Sequence, residues 1–304
     1  MRAAVTGSAG FVGRHLVPHL RDLGDEVVTV DRTGEPPVDV TDTHRVRDVL
    51  RAARPDAVYH LAALSHVGES WGAPESVFRV NAEGTLSVLR ACADVGVERV
   101  LVVGSADEYG VVDPGEMPIT EEAAVRPITP YGASKAAADV LALQTFLGDG
   151  LGTLRVRAFN HTGPGQRSTM VVPGLAARIA AAERDGTRQI SIGNLDVVRD
   201  MTDVRDVVRA YRLLVERGTP GDAYNVCSGR GVSVRDVAEA MLALSDTSLE
   251  LVIDPDLVRP VDVPRLVGSP AKLRAATGWE PAIPLERTLA DVLDAARRAA
   301  SMRS

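Results

Sequence analysis

A phenol and an ammonium four residues apart, Tyr131 and Lys135 in YGASK, are the groups in this chain best spaced for chemistry. The stretch YGASKAAADVLALQTF reads as a helix opened by the turn segment 126–130. On a helix, residues i and i+4 share a face. An ammonium beside a phenol favours the phenolate and lowers the phenol pKa from about 10. Such a phenol exchanges a proton near neutral pH. The same spacing also occurs on ordinary solvated helix faces, so the pair gains meaning only from the elements that position it.

The first of these elements is at the N-terminus. Residues 2–6 form a short apolar run read as a buried strand. The turn Gly7-Ser8-Ala9-Gly10-Phe11-Val12-Gly13 follows, then a run with helical spacing. Strand, glycine-rich turn and helix start are the context in which a backbone approaches a pyrophosphate. The next strand, 26–30, ends at Asp31, placed to hydrogen-bond a ribose 2′-hydroxyl. Arg32 follows and suits a 2′-phosphate instead, so NAD and NADP both stay open. The second element is the apolar run 99–104, with Ser105 at its end. Open parallel sheets bind ligands outside the carboxyl ends of their strands, so the Ser105 hydroxyl is suited to meet a substrate oxygen.

Strand-like and helix-like segments alternate through the first half, with further strands at 57–63 and 153–158 and a helix over 83–95. This pattern predicts right-handed βαβ units, and hence an α/β fold with a Rossmann-type doubly wound parallel sheet. After about residue 160 the pieces are shorter and more polar. Helices are expected at 173–184, 204–217, 232–245 and 285–300, and short strands near 189–192, 223–226 and 249–253. The division expected is a dinucleotide-binding part, 1–160, and a small C-terminal α/β substrate-binding part, 161–304, with some segments returning to the main sheet.

The 304 residues suffice for a full core, and 45% hydrophobic content argues against disorder. A net charge of −7 gives no bulk attraction to nucleic acid or an anionic membrane. No apolar run reaches membrane-spanning length, and residues 1–6 already read as a strand, so neither a span nor a signal peptide is expected. Cys92 and Cys227 read as buried thiols, no metal-ligand spacing appears, and the expectation is a reduced, cytoplasmic protein. Trp71 and Trp279 are expected to pack, and His66 and His161 to be structural hydrogen-bonders.

The motifs in order also carry a resemblance: TGSAGFVG, DVTD at 39–42, HLAA at 60–63, VNAEGT at 80–85, GSADEYG at 104–110, YGASK, RAFNHTGPGQ and RDMTDVRDVV. Over essentially its full length the chain resembles the extended short-chain dehydrogenase/reductases that act on nucleotide-sugars. FNHTGPGQ, YNVCSGRGVS and RPVDVP resemble most the branch that reduces GDP-4-keto-6-deoxy-D-mannose. The resemblance implies that Gly7, Gly10 and Gly13, with Phe11 and Val12 between them, cradle the pyrophosphate of NAD or NADP. It places Asp31 on the adenosine ribose, Asp39 and Val40 beside the adenine, and Leu61, Ala62 and Ala63 along the cofactor groove. Lys135 would bind the nicotinamide ribose, and Asn160 the sugar or its phosphate. Arg199 and Arg259 would hold the diphosphate, and Asp262 the nucleotide ribose. A homodimer with a seam of helices near 84–95 and 131–147 is also implied.

The expected reaction is hydride transfer to C4 of a nucleotide-linked 4-keto-6-deoxy sugar, GDP-linked by resemblance, giving GDP-6-deoxy-D-mannose (GDP-D-rhamnose). Tyr131 would donate the proton, and Ser105 would hydrogen-bond the same oxygen. A 4-epimerase would use the same three groups with retained NAD. A 4,6-dehydratase also needs a base for the C5 proton, and similar dehydratases carry Glu where this chain has Asp107. Asp107 is one methylene shorter and reads as a polar substrate-cleft residue, and Glu108 as structural or solvent-facing. A non-catalytic dinucleotide-binding protein on the same fold has little need for all three groups.

Overall fold

Short apolar runs bounded by glycine and polar residues become the strands of one parallel sheet, and the amphipathic stretches between them wind over both of its faces. The computed structural model describes residues 1–35, 37–257 and 263–302. Its first half runs β1 (Arg2–Thr6), α1 (Phe11–Asp22), β2 (Glu26–Val30), α2 (Thr43–Ala53), β3 (Ala57–His60), α3 (Pro74–Phe78), α4 (Gly84–Val95), β4 (Arg99–Val103), α5 (Pro130–Asp149) and β5 (Gly152–Ala158). A π-helical turn, Arg79–Glu83, joins α3 to α4, so the helical stretch starts earlier than the apolar pattern implies.

The second half continues with β6 (Asn160–Thr162), α6 (Val171–Asp185), β7 (Gln189–Ile192), β8 (Val198–Asp203), α7 (Val204–Arg217) and β9 (Ala223–Val226). Then come β10 (Gly231–Ser233), α8 (Val234–Leu242), β11 (Glu250–Ile253), β12 (Arg265–Leu266), α9 (Ala271–Thr277) and α10 (Leu285–Ser301).

The main sheet has the order β2-β1-β3-β4-β5-β9, parallel throughout. From β1 the chain steps outward to β2 and then crosses to β3 on the other side of β1. The order therefore reverses between β1 and β3, and the crevice at their carboxyl ends is the switch point where such sheets take ligands. Both faces are covered, which is why the strands read as continuous apolar runs rather than alternating ones. Val5, Tyr59, Leu101 and Leu154 pack under α1 and α7 with Leu16, Tyr211 and Trp279. Ala4, Val58 and Val100 pack on the opposite face with Leu50, Val88 and Ala142. Trp279 is fully buried, and its indole N–H donates to the Asp206 carbonyl at 3.0 Å. Trp71, expected to pack, is instead 52% exposed, because it sits on the loop after β3 rather than on a sheet-facing element.

The C-terminal part has its own small sheet, β10-β8-β12 with β6 along β8, and a separate parallel pair β7-β11. Helices α6, α8 and α10 close a third core around Leu175, Ile179, Val237 and Leu289. The chain returns between these pieces, so β9 forms the sixth strand of the main sheet and α7 and α9 lie on its face. Both cysteines are buried, and burial pushes their thiols up. Among the described residues, no helix is long and apolar enough to cross a membrane. Most of α4 faces the core, whereas α5 leaves Val140 and Leu147 exposed.

Candidate active site

The first turn of α5 is fixed before any chemistry is considered. Thr129 caps it, its hydroxyl accepting from the Gly132 N–H at 2.9 Å, and Pro130 starts the helix with a φ already suited to it. Tyr131 then falls in the first turn and Lys135 one turn later, both buried. The Ser105 side chain is a neighbour of the Tyr131 phenol and favours its ionised form. Ser105 caps a short 3₁₀ turn, Ala106–Glu108. Its Oγ accepts from the Asp107 N–H at 3.2 Å and donates to the Asp107 carboxylate at 3.0 Å, and its N–H donates to Glu108 at 2.7 Å. Lys135 Nζ donates to the Val103 carbonyl at 2.7 Å, at the end of β4. The fold thus brings Ser105, Tyr131 and Lys135 to the carboxyl end of the sheet.

The electrostatics differ from the sequence expectation. The Tyr131 phenol is pushed up, not down: burial is the largest cause and the Asp107 charge the next, with the Ser105 side chain opposing them. Lys135 is pushed down to about 8 by burial, against the pull of Glu108. The expectation of a phenol lowered by its neighbouring ammonium is corrected here, for two physical reasons. The ammonium is spent on a backbone carbonyl, and a carboxylate two residues from Ser105 faces the phenol. Burial and the Asp107 charge thus both favour the protonated phenol.

Glu108 is structural, as its fully buried position requires. Burial and Asp139 push its carboxyl up to about 8, while the Ser105 N–H and the Arg157 guanidinium pull it the other way. Arg157 lies 3.5 Å from Glu108 and 3.2 Å from Asp139, and Arg155 lies 2.7 Å from Asp139. Arg157 also donates to the Tyr109 hydroxyl at 3.1 Å, which donates to Asn225 at 2.7 Å. This buried network fixes the Ser105 turn from below.

Two positioning residues do not stand out in the sequence. Asn81, in the π-helical turn, accepts from the Leu64 N–H at 2.8 Å and donates to the Leu64 carbonyl at 3.0 Å and to the Ser134 hydroxyl at 2.9 Å. His60, at the end of β3, lies 2.8 Å from the Thr6 hydroxyl and 3.0 Å from the Thr85 hydroxyl. Thr85 donates to the Asn81 carbonyl at 2.6 Å, so His60 Nε2–H donates to Thr85 and Nδ1 accepts from Thr6. Both residues lie in motifs, VNAEGT and HLAA, but polar groups inside apolar patterns give no sign of their partners.

At the switch point, Gly7 has φ +69°, and a Cβ there would lie 2.7 Å from the Ala62 backbone nitrogen. Only glycine lets the β1 turn pass this close to Leu61 and Ala62. Helix α1 starts at Gly10 with no side-chain cap and no acid in its first turn, so its N–H groups are suited to an anion. Gly13 and Val12 pack into this start, and Ala63 lies half-buried beyond Ala62. Asp31 accepts from the Ala9 N–H at 3.0 Å and from Thr33 through its N–H at 3.1 Å and hydroxyl at 3.0 Å. Burial raises its carboxyl, but these donors outweigh burial and hold it below the usual range. A depression of about 330 Å³ lies beside it, lined by Ser8, Arg14, Thr33 and Gly34 among others. Arg32 is exposed. Asp39 accepts from Thr41 at 2.9 and 2.7 Å, and Val40 is buried in the core. This cradle fits a dinucleotide.

Phe11 joins the two parts of the molecule. Its ring stacks on His161, with centroids 6.2 Å apart and planes 7° apart, and His161 Nδ1 lies 3.0 Å from the Phe159 carbonyl. His161 is thus a structural contact between α1 and β6. Asn160, exposed on β6, pairs with Met201 of β8, and Arg199 lies two residues earlier on that strand. Asp200 is fully buried and bonds Ser228, Gly229 and Gly268, so it does not serve as a surface partner for Arg199. Phe159 clusters with Ala106 and Tyr109, which sets β6 beside the Ser105 turn. Arg259 and Asp262 lie outside the described residues.

The sequence profile of the family described as GDP-mannose 4,6 dehydratase matches residues 4–292. The chain is 36% identical over 309 residues to the GDP-6-deoxy-D-mannose reductase of Pseudomonas aeruginosa, covering 96% of each. Its fold matches the structure of RMD from Pseudomonas aeruginosa complexed with NADPH at a TM-score of 0.90 and 35% identity, covering 98% of this chain and 99% of that one. It also matches the UDP-glucose 4-epimerase of Thermus thermophilus in complex with NAD at a TM-score of 0.88 and 32% identity, covering 98% and 100%.

Proposed function

This chain belongs to the GDP-mannose 4,6 dehydratase family, and from that premise we propose that it reduces the C4 ketone of a GDP-linked 4-keto-6-deoxy sugar to the alcohol, using NADH or NADPH. One observation carries the reading: Ser105, Tyr131 and Lys135 stand at the carboxyl end of the sheet in a chain 36% identical over 309 residues to a GDP-6-deoxy-D-mannose reductase. Ketone reduction consumes a proton at oxygen, and the Tyr131 phenol can supply it.

The α1 cradle and Asp31 would hold a dihydronicotinamide dinucleotide, whose chemistry would be hydride donation to the ketone carbon. The chain's own residues supply the rest. Tyr131 gives its proton to the forming alkoxide and is reprotonated from solvent, while Ser105 hydrogen-bonds the same oxygen. Lys135, on the adjoining turn, would hold the nicotinamide ribose, as the resemblance implies. The α1 start takes the pyrophosphate, Asp31 the adenosine ribose, and Leu61, Ala62 and Ala63 the groove wall. Asn160 and Arg199 would form the nucleotide-sugar side, a role the resemblance also gives to Arg259 and Asp262. An arginine fork suits a diphosphate.

The division of labour at about residue 160 and a homodimer seam along α5, where Val140 and Leu147 lie bare, belong to the same reading. The two buried thiols fit a reduced cytoplasmic setting.

The test is NADH and NADPH absorbance, in separate cuvettes, after adding the enzyme to GDP-4-keto-6-deoxy-D-mannose. Stoichiometric, enzyme-dependent consumption is expected. A folded protein that consumes neither, and that releases NAD on denaturation, would instead be an epimerase or a dehydratase.

A further inference from the structure

Asp139, Asp203 and Asp206 are buried and each pairs with an arginine. Asp200, fully buried in β8, is held by neutral donors instead. Its Oδ1 accepts from the Ser228 N–H at 2.8 Å and hydroxyl at 2.6 Å. Its Oδ2 accepts from the Gly229 N–H at 2.9 Å and the Gly268 N–H at 3.3 Å. Burial pushes the carboxyl up, and these donors pull it back. With both oxygens accepting, the nest suits a carboxylate and no neutral side chain of the same shape.

The donors come from two other segments. Ser228 and Gly229 form the turn after β9, the outer strand of the main sheet, and Gly268 follows β12 of the small sheet. One side chain therefore gathers both sheets onto β8. Arg199, one residue earlier, projects from the opposite face of that strand, between Val232 of β10 and Leu266 of β12. Asn160 of β6 pairs with Met201, one residue later. Gly268 also runs toward the catalytic turn. A Cβ there would lie 2.5 Å from the Phe159 ring and 2.8 Å from Cys227 Sγ, and Phe159 packs with Ala106 and Tyr109 on either side of Asp107 and Glu108.

We propose that Asp200 is a positioning residue for the nucleotide-sugar side: by holding the Ser228–Gly229 turn and Gly268 on β8, it sets Arg199 and Asn160 against the Ser105 turn. The inference deepens the proposed function and rests on it for the roles of Arg199 and Asn160.

The test is calorimetric titration of the full chain with GDP, UDP and dTDP, the tightest serving as probe, and with NADH and NADPH. Asp200→Asn puts an amide nitrogen, itself a donor, among donors. Its affinity for the nucleoside diphosphate should fall about tenfold, with dinucleotide affinity within about twofold of wild type. Ser228→Ala removes one donor and should weaken the diphosphate about threefold in the same selective way. With the keto-sugar, KM should rise more than kcat falls. Unchanged diphosphate affinity in folded Asp200→Asn overturns the proposal, as does an equal loss of dinucleotide affinity or a wild type that binds none of the three diphosphates. Should Asp200→Asn not fold, Ser228→Ala decides by the same split. A wild type that binds a diphosphate yet reduces no keto-sugar defeats the reductase reading and leaves this result standing.

Discussion

Asn81 and Ser134, 53 residues apart in sequence, meet side chain to side chain at 2.9 Å, and Ser134 passes the contact on by donating to the Tyr131 carbonyl at 2.7 Å. One amide therefore ties the loop after β3, through Leu64, to the first turn of α5. The loop after β3 and the turn that carries Tyr131 are held by the same residue.

Replacing Asn81 with alanine leaves the Leu64 amide and the Ser134 hydroxyl short of partners in a buried site. Each such group costs about 1–3 kcal/mol, and the turn carrying Tyr131 loses its register against the groove. Turnover should fall about ten- to a hundredfold, since small misplacements are expensive in this range. KM for the sugar should change much less. Steady-state kinetics with a melting curve check this, and a variant that only melts earlier, with normal kcat, refutes the positioning role.

Asp31 should set the cofactor preference. Its carboxylate, held ionised by Ala9 and Thr33, offers an acceptor to a ribose 2′-hydroxyl and repels a 2′-phosphate. NADH should bind more tightly than NADPH, and Asp31→Asn should shrink that difference by about tenfold or more. Fluorescence titration with each dinucleotide measures it directly. A wild-type preference for NADPH would move the role to Arg32 and Arg14.

Much of this is legible because the relevant signals are local. The strand–Gly7–α1 unit lies within residues 2–22, Asp31 closes the next strand, and Tyr131 and Lys135 are four residues apart, so each signal is continuous in sequence and obeys periodicity or turn chemistry. Strands β6, β8, β10 and β12 are not legible as strands. They are two to six residues long and pair across gaps that leave no periodic trace. The ionisation of Tyr131 escapes the sequence for a similar reason. Spacing shows that Lys135 shares its face, but only the fold shows Lys135 bonded to Val103 and Asp107 turned toward the phenol. The exposure of Trp71 escapes it too, because residue type does not show that its loop stands clear of the core.

Gly7 is the position where the fold and cofactor binding make the same demand. With φ +69° and Ala62 against it, Gly7→Ala adds both strain and a clash, costing about 1–3 kcal/mol from the backbone alone. The β1–β3 crevice should open, so dinucleotide affinity should drop together with the melting temperature. Calorimetric titration that finds unchanged affinity would separate this turn from the binding site.

His60 should give the protein a specific acid sensitivity. Burial, with Lys135 nearby, lowers its pKa from 6.5 to about 3, so the folded state keeps the imidazole neutral between Thr6 and Thr85. The unfolded chain takes up a proton near 6.5, where the folded chain does not. The stability this site contributes is therefore complete above 6.5 and is lost as pH falls toward 3, at about 1.4 kcal/mol per pH unit. His60→Gln, whose neutral amide can donate to Thr85 and accept from Thr6, removes the titration while keeping both bonds within reach. Urea unfolding at stepped pH should give the wild type the steeper acid slope, by about one proton. Equal slopes would mean that His60 already carries its charge in the folded protein.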